Sequence, residues 1–287
     1  MKGVRAVKRF ELERYLRASR KLDLEGIDFE RALDHPLTAE EIRVLTYMMD
    51  IETHTVVYLR DLLSTRAALD PEVSAFLSLW VYEEFWHGEA LGRFLQAMGE
   101  RFTPDRTAMI RRRADAGTLA AKVIKAIAAK TVPDFIALHM TWGAMNELST
   151  LHGYQRVIAK TSHPMLRELL ARIIKDERRH YAFYYNQARI RLDGNPRAQR
   201  LVRFALDKFW EPVGTGVRPQ SETDFVIASL FGDDAGTRAV EEMEQDLSKL
   251  PGLHGMRLMR RARTRALRRS ADGSNHRAQR LPIAAAL

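Results

Sequence analysis

The chain has no cysteine. That excludes disulfides, thiolate zinc sites, iron–sulfur clusters and cysteine nucleophiles, so any metal must be held by histidine and carboxylate. It also lacks any run of about 18 apolar residues of the kind a membrane span needs. The basic N-terminal stretch MKGVRAVKRFELERYL turns charged and amphipathic too soon for a signal peptide. These absences predict a cytoplasmic protein. Strand-like alternation bounded by turns is hard to find anywhere, which points away from sheets.

What is present is an ordinary soluble composition, 46% hydrophobic and 29% charged over 287 residues, enough to bury a sizeable core. The net charge of +9 suggests a nucleic-acid binder until it is located. From Arg257 onward there are nine arginines against Asp272 alone, so the body of the protein is nearly neutral and no nucleic acid is expected. Residues 251–287 therefore read as a basic, Arg-rich and flexible C-terminal tail, and residues 1–250 as one helical domain.

Proline, glycine and capping residues isolate long helical stretches. Thr38 with Glu41 forms a capping box ahead of a helix expected over 38–65. Pro71 opens a second helix to about Met98, Pro133 a third to about Lys160, and Pro164 a fourth to about Arg191. A short amphipathic segment is expected over 10–22, a further helix over 118–130, and shorter ones near 196–210, 221–231 and 235–249. Helices of about 25–30 residues each span a domain at roughly 1.5 Å per residue, so the expected fold is all-α, a four-helix bundle core over 38–192 with flanking helices.

Two segments carry the chemistry. Tyr82 to Glu89 reads YEEFWHGE, and Lys175 to Tyr181 reads KDERRHY. Each contains Glu-x-x-His, Glu84 with His87 and Glu177 with His180, and residues three apart share a helix face. A single Glu-x-x-His is common on solvated helices. Here each copy is preceded by an isolated glutamate on an otherwise apolar face, Glu52 by 32 residues and Glu147 by 30. A lone carboxylate on an apolar stripe is costly to bury unless it is paired or binds a cation. One glutamate from each of two helices and Glu-x-x-His from each of two others is the arrangement of carboxylate-bridged dinuclear sites in bundles. Four carboxylates and two imidazoles suit iron, with manganese also possible. Glu83 and Asp176, each directly before a motif glutamate, are the expected supports for the histidines, Asp176 for His87 and Glu83 for His180. His35, His54, His139, His152 and His163 read as surface or packing residues. Met48, Met49, Trp80, Trp86 and Trp142 read as core.

At these residues the chain resembles the soluble acyl-acyl-carrier-protein desaturases of the ferritin-like superfamily. EEFWHGEAL (83–91) and DERRHYAFYY (176–185) carry the likeness, which extends over about residues 40–192. The resemblance implies a ferritin-like fold and iron ligands Glu52, Glu84, His87, Glu147, Glu177 and His180, with Glu84 and Glu177 bridging. It implies a catalytic role for Thr150, the threonine of NELST, beside the oxygen-binding face. It implies O2 as co-substrate, an acyl carrier protein bearing a fatty acyl chain, an electron donor such as ferredoxin, entry of electrons by His87 and Asp176, and a homodimer. The Arg-rich tail has no counterpart in that family.

The function expected first is thus insertion of a double bond into a fatty acyl chain. A related diiron oxygenase or hydroxylase acting on another substrate is the alternative, and a non-catalytic iron-oxidising or iron-storing protein a third. Leu91, one turn after His87, stands where a radical-forming tyrosine would be needed for a ribonucleotide reductase small subunit. Met48, Leu59, Gly143 and Leu151 are candidates for a substrate channel. Arg106 with Arg111, Arg112 and Arg113 is the candidate surface for an acidic carrier protein.

Overall fold

A computed structural model describes residues 10–63, 65–115 and 134–271. Among them the regular structure is helical: α1 Leu12–Ala18, α2 Ala39–Glu52, α3 Thr55–Leu63, α4 Pro71–Ala97, α5 Arg106–Asp115, α6 Phe135–Lys160, α7 Pro164–Leu192, α8 Pro196–Phe209, α9 Gln220–Phe231, α10 Asp234–Ser248 and α11 Leu258–Ala271. None is long and apolar enough to cross a membrane. The helix expected over 118–130 lies outside the described residues.

Helix starts follow local chemistry. The Thr38 hydroxyl accepts from the Glu41 N–H at 3.2 Å, while Glu41 accepts from the Thr38 N–H at 2.9 Å. Asp70 accepts from the N–H groups of Glu72 and Val73 ahead of Pro71, and the His163 ring nitrogen Nδ1 accepts from the Leu166 N–H ahead of Pro164. Each proline loses nothing at that position, because a first-turn N–H has no intrahelical partner anyway.

The bundle consists of two packed pairs, α6 along α7 and α2 along α4, joined by contacts between α4 and α7. Leu91, Phe94, Met140, Leu169, Ile173 and Phe183 are among its fully buried side chains, and the rings of Phe76 and Phe183 stack at 3.8 Å. Gly143 belongs to this packing. A Cβ there would come within 2.4 Å of the Tyr184 ring, so glycine is what lets α7 seat that tyrosine against α6.

Two expectations are corrected. The first long helix is not continuous to residue 65: it breaks at Thr53 and His54, directly after Glu52, and restarts as α3. Nor is the region from residue 251 a flexible tail as far as 271. Helix α11 packs on α9 and α10 and buries Leu258, Met259, Ala262 and Ala266. Its arginines meet acidic residues from earlier in the chain: Arg260 with Glu244, Arg261 with Asp207, Arg265 with Glu211 and Arg269 with Asp224. A local charge count sees only the arginines, because their partners lie 16 to 54 residues away in sequence.

Candidate metal centre

Four helices bring six ionisable side chains to one point. Glu52 is the last residue of α2, Glu84 and His87 stand mid-way along α4, Glu147 along α6, and Glu177 and His180 along α7. All six are buried, with Glu177, His87 and His180 at 0% exposure. Their donor atoms fall into two interlocking sets. Glu52, Glu84, His87 and Glu177 form one, and Glu84, Glu147, Glu177 and His180 the other, each with its atoms within 4.8 Å of one another. Glu84 and Glu177 belong to both, as bridging carboxylates would; Glu52 and Glu147 each belong to one.

The two imidazoles are oriented alike. His87 turns Nδ1 into the cluster, 3.1 Å from Glu177 Oε1, and His180 turns Nδ1 to within 3.0 Å of Glu84 Oε1. Their Nε2 atoms face outward to carboxylates on the opposite helix: Asp176 at 3.2 Å from His87, and Glu83 at 2.8 Å from His180. Such a contact fixes the tautomer and leaves Nδ1 free as a donor. Arg179 ties the two supports together, donating to Glu83 at 2.7 Å and to Asp176 at 2.6 Å, and the Tyr15 hydroxyl donates to Glu83 at 2.8 Å.

The cluster is ill-suited to being left with protein contacts alone. Glu84 Oε1, both carboxylate oxygens of Glu177 and the Nδ1 atoms of both histidines are buried without a hydrogen-bond partner. The short approaches among them lack hydrogen-bond geometry; the atoms converge on shared points instead of on each other. Burial, followed by repulsion from neighbouring carboxylates, pushes the carboxyls of Glu84 and Glu147 well above the usual range, and Glu52 is raised by burial as well. Against burial, which opposes ionisation, contacts with His180 and His87 hold Glu177 below that range. Two divalent cations would balance four carboxylates charge for charge and take up the orphaned atoms, and an oxygen-rich set with two imidazoles suits iron or manganese. The residues fit two metal ions.

The two ends of the cluster differ. Glu147 accepts the indole N–H of Trp80 at 3.0 Å, whereas Glu52 accepts the phenol of Tyr154. Only Glu52 borders an apolar cavity of about 70 Å³, which Met48, Thr150, Gly153, Tyr154, Leu230 and Met259 help to line. Of the channel candidates, Met48 is at this cavity. Leu59, Gly143 and Leu151 are not among its lining residues; Gly143 faces Tyr184, and Leu59 and Leu151 pack in the core. Thr150 lines the cavity alongside Glu52.

Of the candidate carrier surface, the placing of Arg106 is corrected. Arg106 is 8% exposed and makes a two-pronged ion pair with buried Asp50, at 2.8 and 2.7 Å, and Arg111 donates to the Thr53 carbonyl at 2.8 Å. Arg112 is exposed, and the side chain of Arg113 lies outside the described residues. Sequence reasoning passed over Tyr15, Trp80 as a donor, Tyr154 and Arg179. Tyr154 carried a signal: it stands seven residues after Glu147, two turns on along the same face of α6.

An all-α bundle with a buried set of four glutamates and two histidines is the class that fold and site define. No family model matches the chain, and no curated protein matches it in sequence. Solved structures share the fold. An R2-like ligand-binding oxidase with aerobically reconstituted Mn/Fe cofactor aligns at TM-score 0.51 and 19% identity, over 90% of this chain and 90% of that one. A tyrosine-to-phenylalanine variant with anaerobically reconstituted Mn/Fe cofactor gives 0.53, 19%, 90% and 90%, and a valine-to-isoleucine variant 0.52, 18%, 90% and 91%. At 19% identity or less, the likeness shows a shared helical fold and does not reach the acyl-acyl-carrier-protein desaturases.

Proposed function

We propose that this protein is an O2-dependent oxidoreductase with a dinuclear metal centre, an oxidase or oxygenase acting on an apolar substrate. The observation that carries the reading is the pair of interlocking ligand sets with shared Glu84 and Glu177 and orphaned donor atoms. Glu52, Glu84, His87 and Glu177 would hold one ion, and Glu84, Glu147, Glu177 and His180 the other. When bound, a redox-active pair of iron ions, or manganese with iron as in the structurally similar oxidases, supplies electrons to O2 and oxidising power toward C–H bonds.

The chain's own residues do the rest. Asp176 and Glu83 keep the imidazoles oriented from outside the cluster. Tyr154 and Trp80 each satisfy one oxygen of a terminal carboxylate. The cavity walls, Met48, Ile51, Val226, Ile227 and Leu230, exclude water and hold an apolar group beside Glu52. Thr150 offers a hydroxyl at the same wall, able to donate a hydrogen bond or relay a proton.

The test is metal analysis after anaerobic loading with Fe(II), Mn(II) or both, followed by O2 uptake. About two ions per chain, lost in a Glu84→Ala, Glu177→Ala double variant, support the dinuclear reading. Failure of the wild type to retain either metal sinks it. Desaturation of a carrier-bound acyl chain is the second reading, favoured by Thr150 beside Glu52 at an apolar cavity. Products formed under 18O2 separate the readings: an oxygenase leaves label in the organic product, whereas an oxidase or a desaturase does not, and of those two only a desaturase yields an alkene from a carrier-bound acyl chain.

A further inference from the structure

Helix α5 lies outside the four-helix bundle, yet two of its arginines reach the place where α2 stops. That place is one residue past Glu52. The Thr53 N–H still donates to the Met49 carbonyl at 3.1 Å, but the ladder then lapses: the His54 N–H turns to the Ile51 carbonyl, and α3 begins only at Thr55. A helix end leaves its last carbonyls without intrahelical donors, and cationic side chains are suited to fill the gap. Arg111 does so for Thr53, with Nη2 at 2.8 Å from the carbonyl oxygen. One turn before the break, Asp50 is gripped from two sides, by both prongs of Arg106 and by Arg218 Nη1 at 2.9 Å. The opposite wall is α4. A Cβ on Gly88 would lie 2.7 Å from Thr53 Cγ2 and 3.3 Å from Glu52 Cβ, so the residue after His87 is in close contact with the break. Glu52 thus sits in the last turn of α2, held by the helix on its N-terminal side but followed at once by the break, which α5 braces on one side and α4 on the other.

We infer that Arg111, supported by Arg106, is a positioning residue that fixes the Glu52 end of the centre, and that its effect falls on one metal ion and not on the other. The inference rests on the dinuclear reading. Glu52 contributes only to the set with His87, while the set with His180 is completed by Glu147 from the unbroken α6. Arg111 touches neither set, so it acts through the backbone of Thr53. Loosening that backbone spreads the Glu52 carboxylate over more positions and weakens the ion it completes. The ion held by Glu84, Glu147, Glu177 and His180 keeps its ligands.

The experiment is anaerobic titration of the full-length metal-free protein with Mn(II), free ion being read by electron paramagnetic resonance, for wild type, Arg111→Gln and Arg111→Lys. Arg111 is partly exposed, so its glutamine variant keeps the core intact. The expected result is two ions in the wild type, with Arg111→Gln weakening one by about tenfold or more and leaving the other unchanged, the scale of losing a residue that orients a ligand. Arg111→Lys, which retains a donor for the Thr53 carbonyl, restores most of the loss. A Glu147→Gln control weakens the other ion instead. Hydrogen exchange of the metal-free protein gives a second readout: Arg111→Gln speeds exchange at residues 53–57 and leaves 84–87 protected. Equal weakening of both ions in Arg111→Gln, or no weakening with two ions still bound, overturns the positioning inference and leaves the dinuclear reading standing. A wild type that binds no ion overturns both.

Discussion

The phenol of Tyr154 donates to the carboxylate of Glu52, linking α6 to the last residue of α2 at the wall of the cavity. Tyr154 is fully buried, and burial first, then the negative charge of Glu52, pushes its phenol well above the ordinary value, so it stays protonated as a donor. Tyr154→Phe keeps the ring and deletes the donor. Metal affinity is expected to fall roughly tenfold for one ion, with little change in fold. Cobalt(II) titration followed by visible absorption reads both effects, and two unchanged binding steps would refute the role given to this hydrogen bond.

Glu84 gives a prediction whose sign depends on metal. In the metal-free protein it is a buried carboxyl raised by burial and by Glu52 and Glu177. Replacing such a group with a neutral isostere is expected to stabilise the metal-free fold, while on the dinuclear proposal it removes a ligand shared by both ions. Glu84→Gln should therefore melt higher than wild type without metal and lower than wild type with it. Paired calorimetric scans, with and without Fe(II), decide the matter.

Gly143 and Gly153 separate packing from cavity. A Cβ at Gly143 meets the Tyr184 ring at 2.4 Å, so Gly143→Ala is expected to cost ~1–3 kcal/mol by overpacking. At Gly153 the Cβ has ordinary room, 3.4 Å from Met48 Cε and 3.9 Å from Leu230 Cδ1, and the position lines the cavity. Gly153→Val should fold and load metal normally but lose binding of apolar probes. Thermal unfolding of the first and xenon or hydrocarbon binding to the second supply the check.

The pH dependence of stability should include a contribution from His139. It is buried, with the Tyr58 hydroxyl 3.5 Å from Nε2, and burial lowers its pKa to about 4. The unfolded chain takes up a proton near pH 6.5, the folded chain only near 4, so stability is full above 6.5 and declines as pH falls between those values. The loss amounts to ~3 kcal/mol over the window. His139→Phe should flatten that limb in urea titrations between pH 4 and 7. An identical slope in the variant would assign it to other groups.

Truncation tests the closing helix. A chain ending at Met256 loses α11, whose Leu258, Met259, Ala262 and Ala266 are buried and whose Met259 lines the cavity. It should unfold well below the full chain and bind a dye for exposed apolar surface. An unchanged melting temperature would return this segment to the status of a solvated arm.

Much of the fold was legible because it rests on local signals. The capping box at Thr38 and Glu41, and the prolines at 71 and 164, mark helix starts within a residue or two of those observed. The grouping of Glu52, Glu84, His87, Glu147, Glu177 and His180 was legible for a related reason. Helical spacing puts each Glu-x-x-His on one face, and a bundle has only one interior toward which those faces can turn. What the sequence left open depends on partners distant in the chain. The break after Glu52 is stabilised by Arg111 from 58 residues away, and nothing in the local pattern around Thr53 announces it. Arg106 looked like surface because its partner, Asp50, lies 56 residues back. The arginines after residue 257 looked like a solvated tail for the same reason. Hydrophobic period and capping act over a few residues and are written in the sequence; ion pairs, cavities and the exits from a helix are decided only when distant segments meet.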